Sequence, residues 1–137
     1  MSKFESSIKQ IAYPQQSVYN MLSDLTNIER VKDKVPEDKL KDLTFDKDTI
    51  SVNVPPVGAV SMRIIERDEP KTIKFASENS PMSFNFWIQI LPVDETSSKM
   101  KLTIDADIPF FAKSMVSGPL QEGIEKIANA LAMIPFE

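Results

Sequence analysis

Between Phe84 and Ile108 apolar residues fall on every second position in two successive runs, and this alternation constrains the fold more than any other feature. In the first run Phe84, Phe86, Ile88 and Ile90 share one side, and Asn85, Trp87 and Gln89 share the other. In the second, Met100, Leu102, Ile104, Ala106 and Ile108 oppose Lys101, Thr103, Asp105 and Asp107. A period of two means a strand with one buried and one wet face. Two such strands predict an antiparallel sheet half-covered by helix. The short Asp94–Lys99 linker suits a hairpin between them.

After Pro109 the period lengthens. Met115, Val116, Leu120, Ile124, Ile127, Ala128 and Leu131 recur at three- and four-residue steps, which predicts a helix from about Phe111 to Ile134. Gly118-Pro119 inside it predicts a kink or irregular first turns. Propensity alone does not hold such a helix, so its apolar stripe must pack on the sheet.

Upstream the pattern is shorter but similar. Lys3–Ala12 alternates, with Phe4, Ser6, Ile8 and Gln10 on one face and Glu5, Ser7, Lys9 and Ile11 on the other. Pro14 then opens a short helix to about Leu25, with Val18, Leu22 and Leu25 inward. Thr26 or Asn27 caps a second short helix through Ile28, Val31 and Val35, closed by Pro36. Leu43 and Phe45, then Ile50, Val52 and Val54, then Val60, Met62 and Ile64, then Ile73 and Phe75 mark further strands. Pro55-Pro56 with Gly58, and Glu69-Pro70, supply turns between them.

Composition narrows the chemistry. The 137 residues fit one domain, 1–137, with a core of its own. With no cysteine, disulfides, thiolate nucleophiles and Cys-type metal centres are excluded. With no histidine, the usual base near neutral pH and the commonest transition-metal ligand are missing too. The net charge of −4 and scattered lysines lack the basic stripe of a nucleic-acid binder. No apolar run approaches a membrane span, and Met1–Gln10 mixes Lys3, Glu5 and Lys9 among its apolar residues, unlike a signal peptide. A cytoplasmic location is the expectation.

The element order is strand, two short helices, about six strands and one long terminal helix. Ile11-Ala12-Tyr13-Pro14 leads into Val18-Tyr19-Asn20-Met21-Leu22, Asp24-Leu25 precedes Thr26-Asn27-Ile28, and Arg67-Asp68-Glu69-Pro70 precedes Ile73-Lys74-Phe75. In these features the chain resembles the START/polyketide-cyclase superfamily, also called SRPBCC or helix-grip proteins. The resemblance covers essentially the whole sequence. It implies an α+β fold, a curved antiparallel sheet of about seven strands wrapped around a C-terminal helix. It also implies a cavity between sheet and helix for a lipid-, sterol- or polyketide-like molecule, and it carries over no catalytic set.

On that expectation Met62, Phe75, Phe86, Ile88, Leu102 and Ile104 form a cavity floor, and Leu120, Ile124 and Ile127 form its roof. The same residues equally suit a solid core. Met62, Met100 and Met115 are either adaptable wall or gap filler. Arg63, Tyr13 and Tyr19 are the polar side chains able to orient a guest, with Arg63 also fitting a solvated outer face and Tyr19 a core edge with its hydroxyl wet. Trp87, on the outer face, marks either a protein contact or a ring covered by long neighbours. Asp105 and Asp107 share a face, where they are either solvated charges or an acidic pair. No catalytic residue, metal ligand or cofactor is assigned. Three functions remain open: an apolar-molecule binder, a cyclase- or hydratase-type enzyme using a pocket Tyr or carboxylate, and an interaction module using Trp87 and the mixed-charge stretch Glu29–Lys47.

Overall fold

Phe84–Pro92 and Ser98–Ala106 pair antiparallel along their whole length, from Phe84 opposite Ala106 to Pro92 opposite Ser98, and the rest of the sheet extends from this hairpin. The computed structural model describes residues 2–27, 44–54, 58–78, 83–134 and 136. In chain order these form β1 (Ser2–Glu5), β2 (Lys9–Ile11), α1 (Gln15–Leu22), a 3-10 turn (Leu25–Asn27), β3 (Thr44–Phe45), β4 (Thr49–Val54), β5 (Gly58–Asp68), β6 (Thr72–Ser77), β7 (Phe84–Pro92), β8 (Ser98–Ala106), a second 3-10 turn (Phe110–Ala112) and α2 (Lys113–Ala132). The antiparallel sheet runs β1-β8-β7-β6-β5-β4-β3, and β2 also pairs with β8. Since β1 and β2 are halves of one edge strand, the described residues form seven strands of this sheet, as the alternation predicts. The expected second helix through Ile28–Val35 and the Pro55-Pro56 turn lie outside the described residues.

The edge strand departs from its expected facing. Glu5 pairs with Thr103 and Lys9 with Met100, so Ser6, Ser7 and Ile8 oppose only Lys101 and Leu102. One extra residue is a β-bulge, and it reverses the facing of everything after it. Phe4 and Ser6 point inward as expected, but Ile8 is turned out and Ile11 takes the inward place. The bulge is held by Ser6: its N–H donates to Leu102 O, and its Oγ accepts from Leu102 N–H, both at 2.9 Å.

The helices also differ in detail. α1 stops at Leu22, three residues short of expectation. The Asp24 carboxylate accepts from Thr26 N–H at 3.0 Å and Thr26 Oγ1 at 2.6 Å, stabilising a local turn that competes with the helix. Leu25 is still buried, from the 3-10 turn. α2 continues through Pro119, and its irregular part is the 3-10 lead-in at Phe110–Ala112. Proline removes the donor for the carbonyl four residues earlier, on Met115, whose side chain is exposed rather than inward. Leu120, Ile124 and Ala128 form the buried stripe, flanked by half-buried Val116, Ile127 and Leu131.

α2 packs chiefly on β8, β1 and β2, whereas α1 packs on β7 and β6. The two helices therefore cover different parts of the concave face.

Candidate functional site

Where those two covers meet, the packing is incomplete. A cavity of about 70 Å³ lies between α1 with its 3-10 turn, strands β4–β7 and the C-terminal part of α2. Met21, Leu22, Leu25 and Asn27 line one side, Ile50, Met62, Phe75, Phe86 and Ile88 the floor, and Ile127, Leu131 and Ile134 the roof. The floor follows from alternation: β5, β6 and β7 each send every second side chain to this face. Phe75 and Phe86 meet edge to face, with ring centroids 5.6 Å apart.

Of the nine residues expected at a ligand cavity, Met62, Phe75, Phe86, Ile88 and Ile127 line this one. Leu102, Ile104, Leu120 and Ile124 are buried in the packed core beside it. Their strand and helix are in direct contact. Met21, Leu22, Leu25, Asn27, Ile50, Leu131 and Ile134 also line it. The inward stripe of the first helix was the available signal for Leu22 and Leu25. Met100 is buried away from the cavity and Met115 lies at the surface, so Met62 is the expected methionine that lines it.

Asn27 is the one polar side chain among the described lining residues. Its Nδ2 donates to Met21 O at 3.1 Å and Asn20 O at 3.4 Å, closing the C-terminal end of α1.

The other polar candidates lie elsewhere. Arg63 Nε donates to Glu78 Oε2 at 2.7 Å on the exposed outer face. The Tyr13 ring packs edge-on against Phe136, centroids 6.0 Å apart. Tyr19 is buried, and burial first, then the Glu69 carboxylate, raises its pKa. Trp87 is half-buried, with Lys74 Nζ 5.4 Å from its ring centroid. Asp105 sits on the outer face opposite Lys3 and Asn85, and Asp107 is exposed beyond the strand end. No group of three or more carboxylates among the described residues is arranged to hold a metal ion. No helix among them is long and apolar enough to cross a membrane.

The roof is held by a polar clasp on the far side of α2. Glu125 accepts from Ser7 N–H at 2.8 Å, from Ser7 Oγ at 2.7 Å and from Lys9 Nζ. The lysine hydrogen bond first, then those from Ser7, lower its pKa to about 2. Gln121 Nε2 adds a bond to Glu5 O at 2.8 Å.

No protein-family model matches this sequence, and no curated protein matches it either. Solved structures do. A START superfamily protein from Mycobacterium smegmatis superposes with a TM-score of 0.68 at 13% identity, covering 95% of this chain and 94% of that one. A protein from Thermobifida fusca gives 0.66 at 17% identity, covering 96% and 91%. Norcoclaurine synthase from Thalictrum flavum gives 0.73 at 13% identity, covering 96% and 84%. Likeness at this level of identity is a likeness of architecture, and by that measure the chain has the START-type, helix-grip fold.

Proposed function

We propose that the protein binds a small apolar molecule in the cavity beneath the C-terminal part of α2. The observation that carries this reading is the lining: apolar side chains from both helices and four strands converge on one unfilled space. Close-packed interiors ordinarily leave few voids larger than a water, and an unfilled apolar one forfeits dispersion contacts that a guest would restore. Met62, Phe75, Phe86, Ile88 and Ile127 are the proposed contacts, with Leu102, Ile104, Leu120 and Ile124 supporting them from the packed core. A catalytic reading lacks a corresponding observation, since the described lining residues include no titratable side chain.

The test is native mass spectrometry of the purified protein, followed by thermal melting with a library of small apolar compounds. A ligand that binds only the folded state raises the melting temperature in proportion to its occupancy. Bound mass or a concentration-dependent rise is expected. An unliganded spectrum together with flat melting across the library would defeat the proposal.

A further inference from the structure

The proposed binding reading can be taken further, and the following rests on it. The geometry points to a guest that is uncharged and about the size of one ring or one short branched chain.

Charge is the first argument. Arg63 and Lys74 belong to the strands that form the floor, but alternation sends them to the opposite face, where Arg63 meets Glu78 and Lys74 meets Trp87. On α2, Glu125 is directed away to Ser7 and Lys9, while Glu122 and Lys126 are exposed. An ionised guest would thus give up its hydration with no counter-ion among the described lining residues. The cavity's polar corner adds to this. It lies at the C-terminal end of α1, whose carbonyls carry partial negative charge, and the nearby Arg67 is already engaged by Ser23 O at 3.0 Å and the Asp48 carboxylate at 2.6 Å. A cation would meet those carbonyls already bonded to Asn27.

Size is the second. The space of about 70 Å³ is smaller than the ~150 Å³ known to hold benzene in another protein, and far below the roughly 300–1,000 Å³ of drug-sized sites. Even one ring requires some adjustment of the wall. Met21 and Met62, unbranched and polarizable, are the lining residues best suited to it. The edge-to-face pair of Phe75 and Phe86 offers a guest ring aromatic neighbours.

The test compares isosteres at pH 7: toluene, benzyl alcohol, benzoate and benzylammonium, with decan-1-ol and cholesterol as larger neutral probes. Affinity is read by calorimetry, and location by the NMR shifts of the Met21 and Met62 methyls. Toluene and benzyl alcohol are expected to bind there, with both ions weaker by roughly 100-fold or more. Benzoate or benzylammonium binding as tightly as benzyl alcohol overturns the charge argument while the binding reading stands. Binding of the large probes alone overturns the size argument in the same way. If none of the six binds, both this inference and the binding reading fall.

Discussion

Glu125, midway along α2, receives both hydrogen-bond donors of Ser7, the backbone N–H and the hydroxyl. The bulge that turns Ile8 outward exposes that N–H, and the helix supplies its acceptor. Sheet distortion and helix placement are thus one feature, and the C-terminal part of α2 extends from this fixed point over the cavity.

The clasp predicts a pH dependence. The folded pKa of Glu125, about 2, lies below its ordinary value of 4.5. The group therefore contributes stability that is complete above about pH 4.5 and is lost as pH falls toward 2. Glu125→Gln should cost about 1 kcal/mol at pH 7, a modest figure because the side chain is 35% exposed. The gap between wild type and variant in urea melts should close between pH 4.5 and 2. A gap that stays constant with pH would show that the carboxylate charge plays no part.

Ser6 makes a second, buried contribution. Its Oγ is the acceptor for Leu102 N–H at the bulge, where the ladder is interrupted. Ser6→Ala should cost about 1–3 kcal/mol by leaving that donor unpaired, with little change in side-chain volume. Amide exchange should also quicken at Leu102. Unchanged exchange there would mean that water or a shifted strand replaces the hydroxyl without cost.

Most of the fold is legible in the sequence because alternation on β7 and β8 and the stripe of Leu120, Ile124 and Ala128 leave little choice of buried face. The bulge is less legible. Phe4 and Ile8 share a parity, and the off-parity Ile11 is the sole local hint that the register slips between them. Pairing with β8 decides it, and pairing is not a property of the edge strand alone. The cavity is less legible still. Alternation says that Phe86 and Leu102 both face inward, but not that Leu102 meets a helix while Phe86 borders a void. That depends on where α2 is fastened.

Phe110 and Phe111 are 93% and 84% exposed on the 3-10 turn that leads into α2. Changing both to Ser should therefore shift folding stability by no more than about 0.5 kcal/mol, as for other surface sites. It should also reduce self-association in light scattering at high concentration, since adjacent exposed rings favour apolar contact. A loss of several kcal/mol would show that the rings are buried in solution.

The single tryptophan reports on the face opposite the cavity. Trp87 lies between Phe86 and Ile88 in sequence, so the sheet separates its indole from the guest they would touch. Lys74→Ala should change Trp87 emission and cost about 0.5–1 kcal/mol, the usual size of an exposed cation–π contact. Filling the cavity should leave the emission nearly unchanged. Strong quenching by a small neutral guest would place the binding surface on the outer face.

The sharpest contrast is between two enlargements. Leu102 is fully buried where α2 and the sheet interlock, so Leu102→Phe must force its neighbours apart, at about 1–3 kcal/mol. Ile127 is half-buried at the cavity roof, so Ile127→Phe has unfilled space to enter. Cavity-filling changes commonly add about 0.5–2 kcal/mol, and here the outcome should lie between neutral and that gain. The same substitution should abolish the melting shift given by small neutral compounds, whereas Leu102→Phe should lower the starting temperature and retain the shift. Equal destabilisation by both would mean that the two regions are packed alike, and the cavity would then be no place for a guest.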